Sequence, residues 1–128
     1  MIGTGGTIAS EMTPEGYAPE LTSEQLLNYV PDISSFCSVT CTQVCNLDST
    51  NITPDIWLDI AETIRRNYDR YDGFVVAHGT DTMAYSAAAM SYLVQNSPKP
   101  IIFTGSQKPI NSETTDSKTN LRDSFICA

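Results

Sequence analysis

Apolar and polar positions divide this chain into short β-like runs alternating with longer stretches of helical spacing. Phe74 to Ala77 is a short apolar run with a β-branched pair, bounded by Asp72-Gly73 and His78-Gly79. That is the signature of a strand buried on both faces of a parallel sheet. Ile101 to Thr104 reads the same way, and Val39 to Leu47 alternates loosely as a third strand. Ile2 looks like the end of another. A strand ordinarily takes about five residues, and only Met1 and Ile2 precede the turn Gly3 to Thr7, so the expectation is a first strand clipped at its front.

Between these runs the period changes to that of helices. Thr22-Ser23-Glu24-Gln25 has the spacing of a capping box, with Leu26, Leu27, Tyr29 and Val30 behind it and Pro31 as the stop. Thr53 is placed as the cap of the clearest helix, with Pro54 in its first turn. Ile56, Trp57, Ile60, Ala61, Ile64 and Tyr68 form its buried stripe, while Asp55, Asp59, Glu62, Arg65 and Arg66 face water. A third helix is predicted from about Thr82 to Val94, with Met83, Ala87, Met90 and Val94 at helical spacing and its Met and Tyr residues in a core or interface. A fourth begins near Thr119 and is still running at Ala128. Ser10 to Leu21 has no periodicity and reads as a long polar loop, as does Asn111 to Lys118.

Strand and helix thus alternate four times. The fold class this implies is α/β: a three-layer, mostly parallel sheet with helices on both faces and right-handed crossovers, Rossmann- or flavodoxin-like and incomplete. Length predicts one domain. The charge balance narrows the partners: 15 acids against 7 bases give a net charge of -8 without a basic cluster. Nucleic acid and anionic membrane are therefore not expected as partners, and no apolar run approaches the ~20 residues that span a bilayer. Cys37, Cys41 and Cys45 are evenly spaced, but the single histidine, His78, is remote from them. They read as reduced thiols of a cytoplasmic protein rather than as metal ligands.

The candidate chemistry lies where the predicted strands end. Thr4 to Thr7, Asp48 to Asn51, His78 to Thr82 and Thr104 to Gln107 are all rich in small polar residues, and a parallel sheet gathers such turns on one edge. Gly5-Gly6 allows positive φ and close approach to a ligand. Thr7 beside it presents a hydroxyl, which needs a positioned proton acceptor before it can act as a nucleophile. Tyr17, or a relay through Thr80, would be that acceptor; a helix cap is the plainer alternative for Thr7. Asp81 between two hydroxyls suits a ligand ammonium, although Thr80 or Asp81 could equally cap the following helix. The dinucleotide fingerprint fails because Ile8 stands where its third glycine belongs. His78 has no acid near it in sequence and reads as a structural strand-end residue rather than a base.

Thr4-Gly5-Gly6-Thr7-Ile8-Ala9-Ser10 and His78-Gly79-Thr80-Asp81-Thr82-Met83 together resemble the two sequence motifs of the L-asparaginase/glutaminase family, and the details are most similar to its type I, cytoplasmic branch. Asp48-Ser49-Thr50-Asn51 and Thr104-Gly105-Ser106-Gln107 fit that branch as well. The resemblance runs over essentially the whole chain. It implies an L-asparagine amidohydrolase that uses no metal or cofactor, with Thr7 as nucleophile, Tyr17 assisting proton transfer and Thr80 as a second catalytic threonine. Asp81 would bind the substrate α-ammonium and Ser49 the α-carboxylate, with Asp48, Gly6, Gly79, Thr80 and Ser106 also lining the substrate. It further implies a homo-oligomer, dimer or tetramer, and a small-molecule substrate, asparagine or glutamine.

The family's catalytic lysine has no counterpart here, since Lys99, Lys108 and Lys118 do not occupy its motif. The resemblance therefore makes residues 1–128 a partial N-terminal domain, without the C-terminal one and inactive alone. Two rivals stand beside this reading. One is the asparaginase-like subunit of a tRNA-dependent amidotransferase. The other is a non-catalytic, flavodoxin-like binding module, against which Ile2 and the unexplained His78 to Met83 stretch both count.

Overall fold

The computed structural model describes residues 1–128 throughout. Four parallel strands form the central sheet: β1 (Ile2–Gly5), β4 (Thr42–Leu47), β5 (Phe74–Ala77) and β6 (Ile101–Thr104). Their spatial order is β4-β1-β5-β6. Ile2 lies opposite Thr42 on one side and Val76 on the other, and Phe74 opposite Ile101. The chain steps outward from β1 in one direction to reach β4 and in the other to reach β5. The strand order reverses between β1 and β5, and in open α/β sheets ligands bind at the carboxyl ends of the strands at such a reversal.

Alternation along β5 splits its side chains between two cores. Val75 and Ala77 face Leu26, Val30, Ile33, Ile110 and Leu121, beneath α1 (Ser23–Asn28) and α4 (Ser117–Cys127). Phe74 and Val76 face Ile2, Ile60, Ala61, Ile64 and Met90, beneath α2 (Pro54–Asn67) and α3 (Met83–Leu93). Each β5 side chain is fully or nearly fully buried, which is why the run is apolar without alternation. The three-layer α/β class read from the sequence is the observed one. The capping box also forms: Thr22 Oγ1 accepts the Gln25 N–H, and Gln25 Oε1 accepts the Thr22 N–H.

Several local expectations are corrected. Ser10 to Leu21 is a β-hairpin, β2 (Ser10–Thr13) against β3 (Gly16–Pro19), and not a loop without structure. Main-chain pairing and a Thr13–Gly16 side-chain bond of 2.7 Å hold it, and many of its residues stay in water, so no periodic apolar face marks it. Thr53 makes no side-chain cap; its carbonyl accepts the N–H groups of Ile56 and Trp57. In α3 the methionine Met90 is core, but Tyr85 and Tyr92 stand 68% and 77% exposed. The last helix starts two residues earlier than expected, at Ser117.

Candidate active site at the carboxyl edge of the sheet

The four polar turns meet in space, and glycines set how closely. Gly6 (φ 79°) donates its N–H to Leu47 O at 2.9 Å, which ties the turn after β1 to the end of β4. A side chain on Gly6 would run into the backbone of Gly79. One on Gly79 would fall 2.6 Å from Ser49 Cβ and 2.7 Å from Ser49 Oγ. The turn after β6 closes the set, since a Cβ on Gly105 would collide with His78 O and reach to 3.4 Å from Thr80 Cγ2. Side chains lock these contacts: Thr4 Oγ1 donates to Ala77 O at 3.0 Å, Ser10 Oγ to Gly6 O at 3.1 Å and Thr82 Oγ1 to Ser49 O at 2.7 Å.

The polar residues of this edge fall into two groups. Thr4, Ser10, Asp48, Thr82 and Ser106 spend their side chains inside the turns. Asp48 accepts both the N–H and the hydroxyl of Thr50, at 2.9 and 2.7 Å, and the hydroxyl contact first, then the N–H, holds its carboxyl below the usual range. Ser106 is buried, donates to Lys108 O at 2.6 Å and receives the Ser117 hydroxyl. The roles implied for Asp48 and Ser106 thus fall on side chains already engaged within the turns.

By contrast, the hydroxyls of Thr7, Ser49 and Thr80 and the Asp81 carboxylate have no hydrogen-bond partner within the chain; every bond their neighbours make goes elsewhere. Neither Thr80 nor Asp81 caps α3, whose cap position is Thr82 and carries no side-chain cap bond. Gly79, Thr80, Asp81 and Thr82 also leave four successive backbone N–H groups without a main-chain acceptor. Unpaired N–H groups entering a helix favour negative charge. Thr7 is half-buried where the 3₁₀ turn Thr7–Ala9 begins. Tyr17 sits on β3 opposite Met12, 62% exposed. The hairpin that carries it leaves directly from that 3₁₀ turn and is anchored to β4 by Asn46 Nδ2 on Pro19 O at 2.9 Å.

Two contributors lie outside the site residues expected from the sequence. Asp116 accepts the N–H groups of Gln107 and Lys108 at 3.0 and 3.1 Å and clamps the fourth turn to α4. Burial opposes its charge, but these donors and the Asn120 amide bring its carboxyl below the usual range. An acid in a polar loop gives no signal of that role. His78, set aside as structural, is buried, with Nδ1 2.7 Å from Gly79 O.

Comparison with known proteins gives one consistent match. The family described as "Asparaginase, N-terminal" matches residues 1–128. L-asparaginase 1 of Escherichia coli is 40% identical over 131 residues, covering 98% of this chain and 38% of that protein. A glutamyl-tRNA(Gln) amidotransferase subunit of Metallosphaera sedula is 39% identical over 131 residues, covering all of this chain and 30% of that protein. The solved structure of the thermostable L-asparaginase from Thermococcus kodakarensis superposes with a TM-score of 0.83 at 37% identity, over 97% of this chain and 38% of the other. The chain thus spans well under half the length of the relatives it matches.

Proposed function

The chain belongs to the asparaginase family, and from that premise we propose that its sheet edge is the nucleophile-bearing side of an L-asparagine amidohydrolase site. What carries the reading is the division of polar groups at that edge: some hold the turns, and Thr7, Ser49, Thr80 and Asp81 are left free around Gly6 and Gly79. Asp81 pairs with the substrate ammonium, and the Ser49 hydroxyl with its α-carboxylate. Thr7 Oγ attacks the side-chain amide carbon as its proton passes to Tyr17 or into a relay through Thr80. The oxygen of the tetrahedral intermediate takes up negative charge and is held by the unpaired N–H groups that begin at Gly79. One such donor is typically worth ~3 kcal/mol.

The carbon–nitrogen bond then breaks, nitrogen leaves as ammonia with the transferred proton, and a threonyl ester of aspartate remains. Water attacks the ester, aspartate departs, and the Thr7 hydroxyl is restored. We place residues 1–128 within a larger N-terminal catalytic domain of a homo-oligomeric enzyme. The test is Thr7→Ala in the full-length protein. Ammonia release from asparagine should fall by several orders of magnitude while asparagine still binds, and Thr7→Ser should keep part of the activity. Near wild-type release by Thr7→Ala would remove Thr7 from the nucleophile's place.

The amidotransferase reading keeps a claim, because the Metallosphaera sedula relative is about as similar as the asparaginase from Escherichia coli. Both readings share the same first half-reaction and differ in the fate of the ammonia. Free ammonia from the purified protein without a partner protein or tRNA supports the hydrolase. Asparagine consumed only in the presence of both, with its ammonia passed on rather than released, supports the transferase.

A further inference from the structure

We infer that His78 is a positioning residue: its imidazole fixes the Gly79–Thr80 peptide so that the Thr80 N–H faces the substrate. The inference rests on the site proposed above. His78 follows Ala77 at the end of β5 and is fully buried, and its backbone N–H is committed to the sheet, donating to Thr104 O at 2.8 Å. Its ring lies 6.0 Å from the Phe103 ring and puts Nδ1 2.7 Å from the carbonyl oxygen of Gly79. A carbonyl only accepts, so Nδ1 carries the hydrogen. Nε2 is then a bare lone pair, and it is the one buried side-chain polar atom without a partner in the chain.

The accepting carbonyl and the Thr80 N–H belong to one planar peptide unit and point in opposite directions. Holding the oxygen toward the core therefore turns the hydrogen away from it, and Gly6 and Ser49 crowd the Cα of the same Gly79. The Thr80 N–H has no main-chain acceptor. Donation into its carbonyl also polarises the amide and strengthens the N–H as a donor. Burial lowers the pKa of His78, in keeping with a ring that stays neutral at the pH where the turn must hold. A ring kept only for packing would have no need of the nitrogen, and an apolar residue would avoid an unpartnered buried Nε2.

The experiment compares three variants of the full-length protein, with Thr7→Ala alongside. Asn places an amide N–H near the position of Nδ1, Gln places it near Nε2, and Leu supplies none. His78→Leu and His78→Gln should lower kcat at least about tenfold with KM within about twofold, since a misplaced oxyanion donor acts on the transition state. His78→Asn should keep kcat well above both. Equal kcat for all three, or wild-type kcat in folded His78→Leu, overturns the inference. Should the variants fail to fold, ¹⁵N NMR of the ring in the unaltered protein decides it. A protonated Nδ1 with bare Nε2 supports the inference, and the opposite tautomer overturns it. Activity retained by Thr7→Ala would sink the site itself, whereas an inactive Thr7→Ala beside an unaffected His78→Leu sinks only the role of His78.

Discussion

Asp81 stands two residues before α3 and yet caps nothing, which is the observation that turns a turn-forming residue into a candidate ligand. Its carboxylate is exposed and unpaired within the chain. A charge-assisted contact to an ammonium is worth ~1.5–3 kcal/mol. Asp81→Asn in the full-length protein should therefore lower kcat/KM for asparagine by one to two orders of magnitude, and lower it far less for an analogue lacking the α-amino group. Equal losses with both substrates would return Asp81 to a purely structural place. His78 supports a second expectation, about stability. Burial holds its pKa below the ordinary 6.5, so between those two values the unfolded chain binds a proton that the folded chain does not. Stability from this group is complete above pH 6.5 and declines as pH falls through that point, with a slope of at most about 1.4 kcal/mol per unit. Urea midpoints at pH 7.5 and 5.5 should show the decline, and His78→Asn should make it shallower. Asp48 and Asp116, both shifted downward, lose their contributions only at lower pH. Burial also lowers the pKa of the Met1 amino group from 8.0, so its contribution already declines above the window, and the histidine's part is the difference between the unaltered protein and His78→Asn. Among single residues the free ones were legible, because motif and turn placement pointed to Thr7, Ser49, Thr80 and Asp81. Which polar side chains would be consumed by the turns was not legible: the bonds of Ser106 to Lys108 O and of Thr82 to Ser49 O depend on loop paths that spacing does not encode.

Strands and helices were legible wherever burial was strong. Phe74 to Ala77 and the stripe Ile60, Ala61, Ile64 are apolar because they touch a core on the expected face. The hairpin Ser10 to Pro19 escaped for the converse reason, since main-chain pairing needs no apolar pattern. Its turn residues Pro14-Glu15-Gly16 were the available signal, and Gly16 does take a positive φ of 118°. Among the elements, the junction between the ends of β1 and β5 offers the sharpest test. Gly6 has a positive φ of 79°, and a Cβ there would strike Gly79. Gly6→Ala should cost at least about 2 kcal/mol, from strain at the left-handed backbone and from overpacking against a main chain that cannot rotate aside. A shift in the denaturant midpoint at unchanged m-value would measure it. Gly16→Ala shares the positive φ but meets nothing within 4 Å. It should cost only the backbone strain, and the difference between the two variants isolates the contact between the turns.

For the molecule as a whole, the question is what the chain can do with the groups it contains. Proton transfer from Thr7 through Thr80 calls for a basic partner, and the three lysines of residues 1–128 are all engaged elsewhere. Lys99 Nζ donates to Tyr68 O and Tyr71 O at 2.5 and 2.7 Å, at the opposite edge of the sheet from Thr80. Lys108 Nζ donates to Thr114 Oγ1 at 2.8 Å, and Lys118 lies over the Tyr29 ring. His78 is buried, which disfavours its charged form, and is turned toward Gly79 O. Tyr17 remains as an acceptor, but it is largely in water, without a hydrogen bond that would fix it over Thr7. A missing general base commonly costs about 10²–10⁴ in rate. Residues 1–128, expressed alone and freed of host asparaginase, should therefore release no ammonia from asparagine above background, even where circular dichroism shows the α/β fold intact. The full-length protein should release it readily, and Thr7→Ala in that protein should fall back to the level of the isolated 128 residues. Turnover by the isolated chain would mean that Thr7 and Tyr17 suffice, and the relay through Thr80 would then be dispensable.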